Sequence, residues 1–330
     1  MDVFVIFIIV IALLFDFLNG MNDAANSIAT VVSTKVLSPR IAVLWAAFFN
    51  FAAAFGFGVA VAKTIGKGIV DPSIVTPEFI FAALVGAIIW THLCTHYGYP
   101  ISVSHALIGG LAGAGLFKAG IAALNFEGIT KVVIFIFLSP TIGLLMAFLL
   151  MIVVTWLFKD WNVRRVDKFF RVGQLVSSAA YSLGHGTNDA QKTMGIITIL
   201  LYSTGYFQGG EMYVPWWVII TAHSAIGLGT LLGGWKVIGT LGVKLTHLKP
   251  VGGFCAEGAG SLVLLGTAIA GIPVSTTHTI AGSIMGVGAT KRLSAVRWGI
   301  AGKIIIAWIL TIPTSAAIGA ITYWLTEIFL

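Results

Sequence analysis

Charge is what this chain has least of. Asp, Glu, Lys and Arg together supply 9% of its 330 residues, against 58% hydrophobic ones. A soluble domain of this length could not cover its surface with so few charges. Cysteine is nearly absent. Cys94 and Cys255 both fall in apolar stretches, which suggests no disulfide framework and reads as two small buried hydrophobes instead of ligands. A basic targeting segment is lacking too: Asp2 stands where a signal peptide would carry Lys or Arg, so the first apolar run is expected to be a mature helix. The formal charge of +7 comes from basic residues scattered among short connections. It gives no nucleic-acid footprint, and suits cytoplasmic loops and an anionic cargo equally. Neither a low-complexity tail nor a second soluble domain is expected.

What the chain has is apolar runs long enough to span a bilayer, from end to end. Bounded by Pro, Gly and charge, they give ten segments: roughly 2–35, 40–62, 79–97, 100–117, 130–158, 168–203, 214–240, 254–271, 273–290 and 295–326. The fold class is therefore an all-α polytopic membrane protein. The halves correspond. Asn22-Asp23 matches Asn188-Asp189, Lys63-Thr64-Ile65-Gly66 matches Lys236-Val237-Ile238-Gly239, and Pro100–His105 matches Pro273–His278. Gly109, Gly113 and Gly115 then align with Gly282, Gly286 and Gly288. Three anchors in one order make the chain a duplication. Five segments is an odd number, so the second half enters from the opposite side. The prediction is two inverted-topology repeats of about five helical segments each, with broken helices or re-entrant hairpins at a central site. The repeats are 1–158 and 172–330. The charged stretch 159–171 is the cytoplasmic inter-repeat linker, readable as an interfacial amphipathic helix.

Basic residues orient the bundle, because they favour cytoplasmic loops. With the N-terminus outside, twelve fall in cytoplasmic connections and four (Lys63, Lys67, Lys118 and Lys131) in exterior ones. Both termini are therefore expected to be extracytoplasmic.

Two motifs put polar groups inside apolar segments. In Gly20-Met21-Asn22-Asp23-Ala24-Ala25-Asn26, the side chains of Asn22, Asp23 and Asn26 share a helical face. Gly20 permits a helix break that would free backbone groups to line a cavity. Carboxylate, amide oxygens and carbonyls suit a small cation or a proton, so Asp23 and Asn26 form a candidate sodium site. The echo, Gly186–Lys192, repeats Asn188 and Asp189 but ends in Lys192. That ammonium could neutralise Asp189, act as a fixed cation or touch an anionic substrate. Helix-packing glue is the plainer reading of one such motif; two copies, each with an intramembrane acid, favour function.

The second pair, Pro-x-Ser-x-Ser/Thr-His, sets Pro100 and Pro273 at an expected first helical position, followed by Ser102, Ser104, Ser275, Thr276 and Thr277. Unpaired amides and hydroxyls at a helix N-terminus suit a tetrahedral oxyanion; simple capping is the alternative. His105 and His278 either donate to that anion, orient the hydroxyls or bond a backbone carbonyl. Glu257, ahead of a Gly-rich helix, is placed toward the central cavity, and Asp16 pairs with a neighbouring helix. His92, His96, His185 and His223 show no repeated metal-ligand spacing. His92 and His96 share a face without an evident third ligand, and no metal beyond the sodium candidate is expected.

These two motif pairs resemble those of the inorganic phosphate transporter (PiT) family, which includes bacterial phosphate permeases and animal sodium–phosphate symporters. The resemblance spans nearly the whole chain. It implies an inverted-repeat carrier, not an enzyme, that imports inorganic phosphate by cation symport through alternating access. It also implies a central site of Asn22, Asp23, Asn26, Asn188, Asp189, Ser102, Ser104, Ser275, Thr276 and Thr277, to which Lys192 and Glu257 are added here. Lys192 departs from the sodium-coupled pattern and resembles the proton-coupled bacterial branch, so H+ is favoured over Na+ as coupling ion. No other cofactor is implied; the partners are phosphate, the coupling cation and the lipid bilayer of the cell membrane, with a homo-oligomer left open.

Other classes are separable. A sulfate permease of the same family is nearest. Phosphate carries a proton that Asp23 or Asp189 can accept, and sulfate does not. An anion channel is disfavoured by two fixed carboxylates, and a membrane enzyme has no nucleophile–base pair or nucleotide loop to support it. The orientation is testable: Arg165→Cys should resist an impermeant thiol reagent added outside intact cells, whereas labelling from outside would reverse the predicted topology.

Overall fold

The computed structural model of the chain describes residues 2–56, 58–207, 211–272 and 274–329, with backbone only at 64–67. Hydrocarbon offers the backbone no hydrogen-bond partner, so apolar runs this long close their bonds internally as helices. The described residues form α1 (Val3–Ser33), α2 (Pro39–Ala52), α3 (Ala60–Gly68), α4 (Pro77–Tyr97), α5 (Val103–Ala119), α6 (Phe126–Leu157), α7 (Val163–Ser203), α8 (Trp216–Leu232), α9 (Trp235–Gly239), α10 (Pro250–Ile269), α11 (Thr276–Lys291) and α12 (Trp298–Phe329), and contain no β-strand beyond an isolated bridge between Val70 and Leu124. Six of them are long and apolar enough to cross a membrane, and α8 with the helical stretch Trp235–Lys244, bent by 66°, would make a seventh. The chain is a multi-pass membrane protein. Large apolar side chains such as Phe48, Leu149 and Ile306 point outward, while Asp16, Asp23, His185 and Lys192 are buried.

Two expectations about local geometry are corrected. Both Asn-Asp motifs lie inside unbroken helices, not at breaks. Their glycines are there for contact instead. A Cβ built on Gly20 would stand 2.1 Å from the Ile226 carbonyl oxygen of α8, and one on Gly186 would stand 2.5 Å from that of Asn50 on α2. Nor does Pro100 begin a helix. It lies three residues ahead of α5, whose cap is Ser102; Pro273 lies outside the described residues. At the α4–α5 and α10–α11 hairpin turns, Gly98 (φ 78°) and Gly271 (φ 67°) take the left-handed conformation that glycine accepts without strain. Ile101, Ser102, Val274 and Ser275 are all buried, so the α4–α5 and α10–α11 hairpins turn inside the bundle.

Each hairpin packs on the last helix of the other half, α5 against α12 and α11 against α6. Small residues permit the close approach. A Cβ on Gly113 would meet the Ala316 carbonyl oxygen at 1.9 Å, and one on Gly286 would meet that of Leu144 at 2.2 Å. Both α6 and α12 carry an interior proline, Pro140 and Pro313. Pro140 has no N–H to give the Ile136 carbonyl, and His278 Nδ1 reaches that carbonyl at 3.3 Å. The His278 ring stacks on Trp308 at 3.8 Å, and Trp308 donates to the Pro100 carbonyl at 2.9 Å. His278 is thus a bracket between hairpin and helix.

At 41 residues, α7 is about 60 Å long, twice the hydrocarbon thickness of about 30 Å. Its first residues therefore extend past the apolar layer. The stretch 159–171 is a turn ending at Asn162, which caps the helix by accepting from Arg165 N at 2.8 Å, followed by helix from Val163.

Overpacking a tight contact costs about 1–3 kcal/mol. Gly113→Leu and Gly286→Leu should each lower the thermal unfolding midpoint in detergent. Midpoints equal to the parent protein would mean that α5 and α11 do not pack this closely.

Candidate substrate and coupling site

The site forms where the middles of α1 and α7 meet the N-terminus of α11. Asp23 on α1 and Asp189 on α7 are both buried, and one hydroxyl joins them. Thr276 Oγ1 lies 3.2 Å from Asp23 Oδ2 and 3.1 Å from Asp189 Oδ2. A hydroxyl has one proton, so it serves one carboxylate at a time. Thr277 donates to Asp23 Oδ1 at 3.2 Å, and Asn22 Nδ2 to the same oxygen at 2.7 Å. Thr95 on α4 steadies Asn22 by donating to its Oδ1 at 2.8 Å. Asn26 turns its Nδ2 to Thr277 at 2.9 Å and to Thr276 at 3.4 Å. Its buried Oδ1 has no hydrogen-bond partner among the described residues.

Lys192 answers the second carboxylate. Its ammonium donates to Asp189 Oδ1, to Ser104 Oγ of the first hairpin, and to the Val274 carbonyl at 3.1 Å. One cation thereby ties α7 to both hairpin ends.

His185 enters from one helical turn before Asp189. Its Nε2 lies 3.3 Å from Asp189 Oδ2 and 3.6 Å from Asp23 Oδ2, and its Nδ1 lies 3.1 Å from Asn50 Oδ1. The surrounding bonds place a proton on Nδ1. Thr230 gives its proton to the Ile226 carbonyl at 2.8 Å, so it accepts from Asn50 Nδ2 at 2.9 Å. Asn50 then presents its oxygen to His185, which requires N–H at Nδ1 and turns Nε2 to the carboxylates. Asp23, His185 and Asp189 can bring one ligand atom each within 4.8 Å of one another, the arrangement of a cation-binding cluster. Sequence spacing for metal ligands passed His185 over. The signal was its four-residue separation from Asp189, which puts both on one helical face.

The remaining predicted residues lie around this cluster. Ser102 and Ser275 cap α5 and α11, accepting from the backbone N–H of His105 at 3.3 Å and His278 at 3.1 Å. Asn188 turns toward α10, donating to the Leu264 carbonyl at 2.7 Å and to that of Gly184 at 3.2 Å. His105 sits 4.9 Å, ring to ring, from His278 at the contact between the two hairpins. Asp16 accepts from Asn19 at 3.5 Å within its own helix.

Glu257 forms a second polar cluster. It accepts from Thr30, one turn beyond Asn26 on α1, from Ser177 at 2.5 Å and from Gln174 Nε2 at 3.2 Å. Gln174 in turn accepts from Thr34 at 2.9 Å. The positions that the repeat aligns with Gln174, Ser177, Thr30 and Glu257 are Ile8, Ile11, Ile196 and Leu84. The central site therefore has a polar neighbour on one side and an apolar core on the other.

Comparison with known proteins decides the family. The phosphate transporter family matches over residues 19–164 and 158–319. The chain belongs to the phosphate transporter family. Within it, the chain is 56% identical to a protein of Rhizobium meliloti named "Probable low-affinity inorganic phosphate transporter", over 97% of this chain and 96% of that one. A Bacillus subtilis protein of the same name is 46% identical over the same shares. A solved structure titled "The sodium-dependent phosphate transporter" superposes with a TM-score of 0.92 at 27% identity, covering all of both chains.

The Lys192–Asp189 contact predicts a stability pattern. Removing one partner of a buried ion pair costs about 3–5 kcal/mol, whereas replacing both by neutral groups of similar shape costs much less. Lys192→Met should destabilise the protein in a denaturant titration more than Lys192→Met combined with Asp189→Asn. A double variant that loses at least as much as the single would show that the ammonium is not there to answer Asp189.

Proposed function

We propose that this chain imports inorganic phosphate across the cell membrane by symport with a cation, a proton in preference to sodium, through alternating access. One observation carries the reading: two buried carboxylates share a hydroxyl with only one ammonium beside them. Until His185 Nε2, 3.3 Å from Asp189 Oδ2, takes up a proton, the cluster Asp23, Asp189 and Lys192 holds a net charge of −1. Dihydrogen phosphate entering it would make −2 in a site withdrawn from water, which is costly. Each cation that enters with the anion removes one unit. Coupling then follows from charge balance, because neither ion is well tolerated alone. The names of the related proteins support phosphate as the anion.

Phosphate is assigned to the converging hairpin ends. Ser104, Thr276, Thr277 and Lys192 supply donors there, the capped turns at Ser102 and Ser275 aim two helix N-termini at the same place, and Asn22 completes the polar wall, while Asn188 is turned to the Leu264 carbonyl and ties α7 to α10. The cation is assigned to Asp23, Asn26 and Asp189, with Glu257 as the next acid along one side. His185 Nε2 adds a proton-accepting position between the two carboxylates. Sodium beside Asp189 would meet the Lys192 ammonium. At ~4 Å and an effective dielectric of ~20, like unit charges repel by about 4 kcal/mol. The solved neighbour is titled sodium-dependent, and the Asn26 oxygen leaves sodium a place in the first motif. Sulfate is the second reading, since it has the same shape but no proton for Asp23 or Asp189 to accept.

Alternating access is assigned to the two halves, 1–158 and 172–330, as inverted repeats rocking about the α1–α7 contact, with both termini outside and the 159–171 stretch in the cytoplasm. The exchanged packing of α5 on α12 and α11 on α6 suits such a pair.

Uptake of radiolabelled phosphate into proteoliposomes tests the coupling. An inward proton gradient without sodium should drive accumulation, and Asp23→Asn and Asp189→Asn should each abolish it while still inserting. Accumulation that required sodium and ignored an imposed proton gradient would exclude protons as the driving ion.

A further inference from the structure

Where α6 ends and α7 begins, the surface carries a groove of about 520 Å³ lined by Trp161, Arg165, Lys168, Phe169, Val172 and Gly173. Its floor is apolar and its rim is basic. Val172 is 62% exposed and Val176, one turn on, is 66% exposed, so the apolar strip runs from the groove along the outer face of α7. Trp161 packs edge-on against Phe158 at 4.8 Å and against Phe169 at 5.6 Å. The Arg165 guanidinium lies 3.9 Å over the Trp161 ring, and Lys159 Nζ lies 5.7 Å over Trp156. Tryptophan at the ends of membrane helices marks headgroup depth.

The charges at this end are unequal. Arg171 is engaged with Asp167 at 2.9 Å and with the Lys35 carbonyl at 2.9 Å. Lys159, Arg164, Arg165 and Lys168 then stand against Asp160 alone, an excess of three positive charges. No other ion pair is made at this end among the described residues.

We propose that this groove binds an anionic phospholipid, its phosphate between Arg165 and Lys168 and one acyl chain along Phe169, Val172 and Val176. The apolar strip selects a lipid over free phosphate, because inorganic phosphate would leave Phe169 and Val172 uncovered while a lipid covers both. The basic rim selects an anionic headgroup over a zwitterionic one. The lipid would hold the start of α7 at the headgroups, and α7 carries Asp189 and Lys192. The groove stands apart from the central site, so its occupancy does not depend on what that site transports.

Native mass spectrometry of the purified full-length protein, titrated with phosphatidylglycerol and with phosphatidylcholine, tests this. Each basic residue near a headgroup contributes about fivefold in affinity, so R165Q/K168Q should weaken phosphatidylglycerol binding about twenty-five-fold. Val172→Asp, on an exposed position, should weaken it as well, and millimolar inorganic phosphate should leave it unchanged. Equal binding of the two lipids, full retention by both variants, or displacement by inorganic phosphate would each overturn the proposal; the last would make the rim a phosphate site instead.

Discussion

Two carboxylates buried within reach of one hydroxyl set the terms for the rest of the bundle. Asp23 and Asp189 lie 166 residues apart in sequence, and both are buried. The surrounding structure supplies compensation from every side. The α11 N-terminus gives two hydroxyls, α7 gives the Lys192 ammonium and the His185 ring, and α1 gives the Asn22 amide. The supporting groups act through these. Thr95 orients Asn22, Asn50 and Thr230 orient His185, and the Ser102 and Ser275 caps fix where the two hairpins end. Packing serves the same end. The glycines of α5 and α11 let each hairpin lie flat on the proline-bearing helix of the other half, and this brings residues 101–104 and 274–277 to the middle of the bundle.

The two halves share an order of helices, six in each among the described residues, and differ in chemistry. Aligned by the motifs, Asn26 corresponds to Lys192, Asn19 to His185, and the residues of the Glu257 cluster to aliphatic ones. A symmetric scaffold can expose its centre to either side in turn. An asymmetric lining lets the centre hold and release charge differently on the two sides. In the proposed orientation the Glu257 cluster lies on the cytoplasmic side, where a coupled cation leaves.

Much of this was readable from the residues. Asp23 and Asp189 announce themselves because a carboxylate in an apolar run has few benign explanations, and the Ser/Thr hairpins because they occur twice in register. What escaped depends on contacts between distant segments. His185 shares a helical face with Asp189 in the sequence, but its approach to Asp23 and its bond to Asn50 come only with the packing of α1 and α2 on α7. Gln174, Ser177 and Thr30 look like ordinary polar residues in helices until they close on Glu257. The expected helix break at Gly20 was a misreading of a residue with two uses: glycine permits both a bend and a close approach, and only the position of Ile226 distinguishes them. Pro100 misled similarly. The cap that starts α5 is the serine two residues later, because its side chain, unlike proline's, can accept from an unpaired amide.

The central claim is that the cluster joining Asp23, Thr276, Asp189 and Lys192 is the place where phosphate and its coupling ion meet. A structure determined in saturating phosphate tests it most directly. The account predicts tetrahedral density within hydrogen-bond distance of the Ser104 and Thr277 hydroxyls, with the Lys192 ammonium turned onto it. Phosphate bound elsewhere, with Lys192 still on Asp189 and Thr276 still between the two carboxylates, would contradict it.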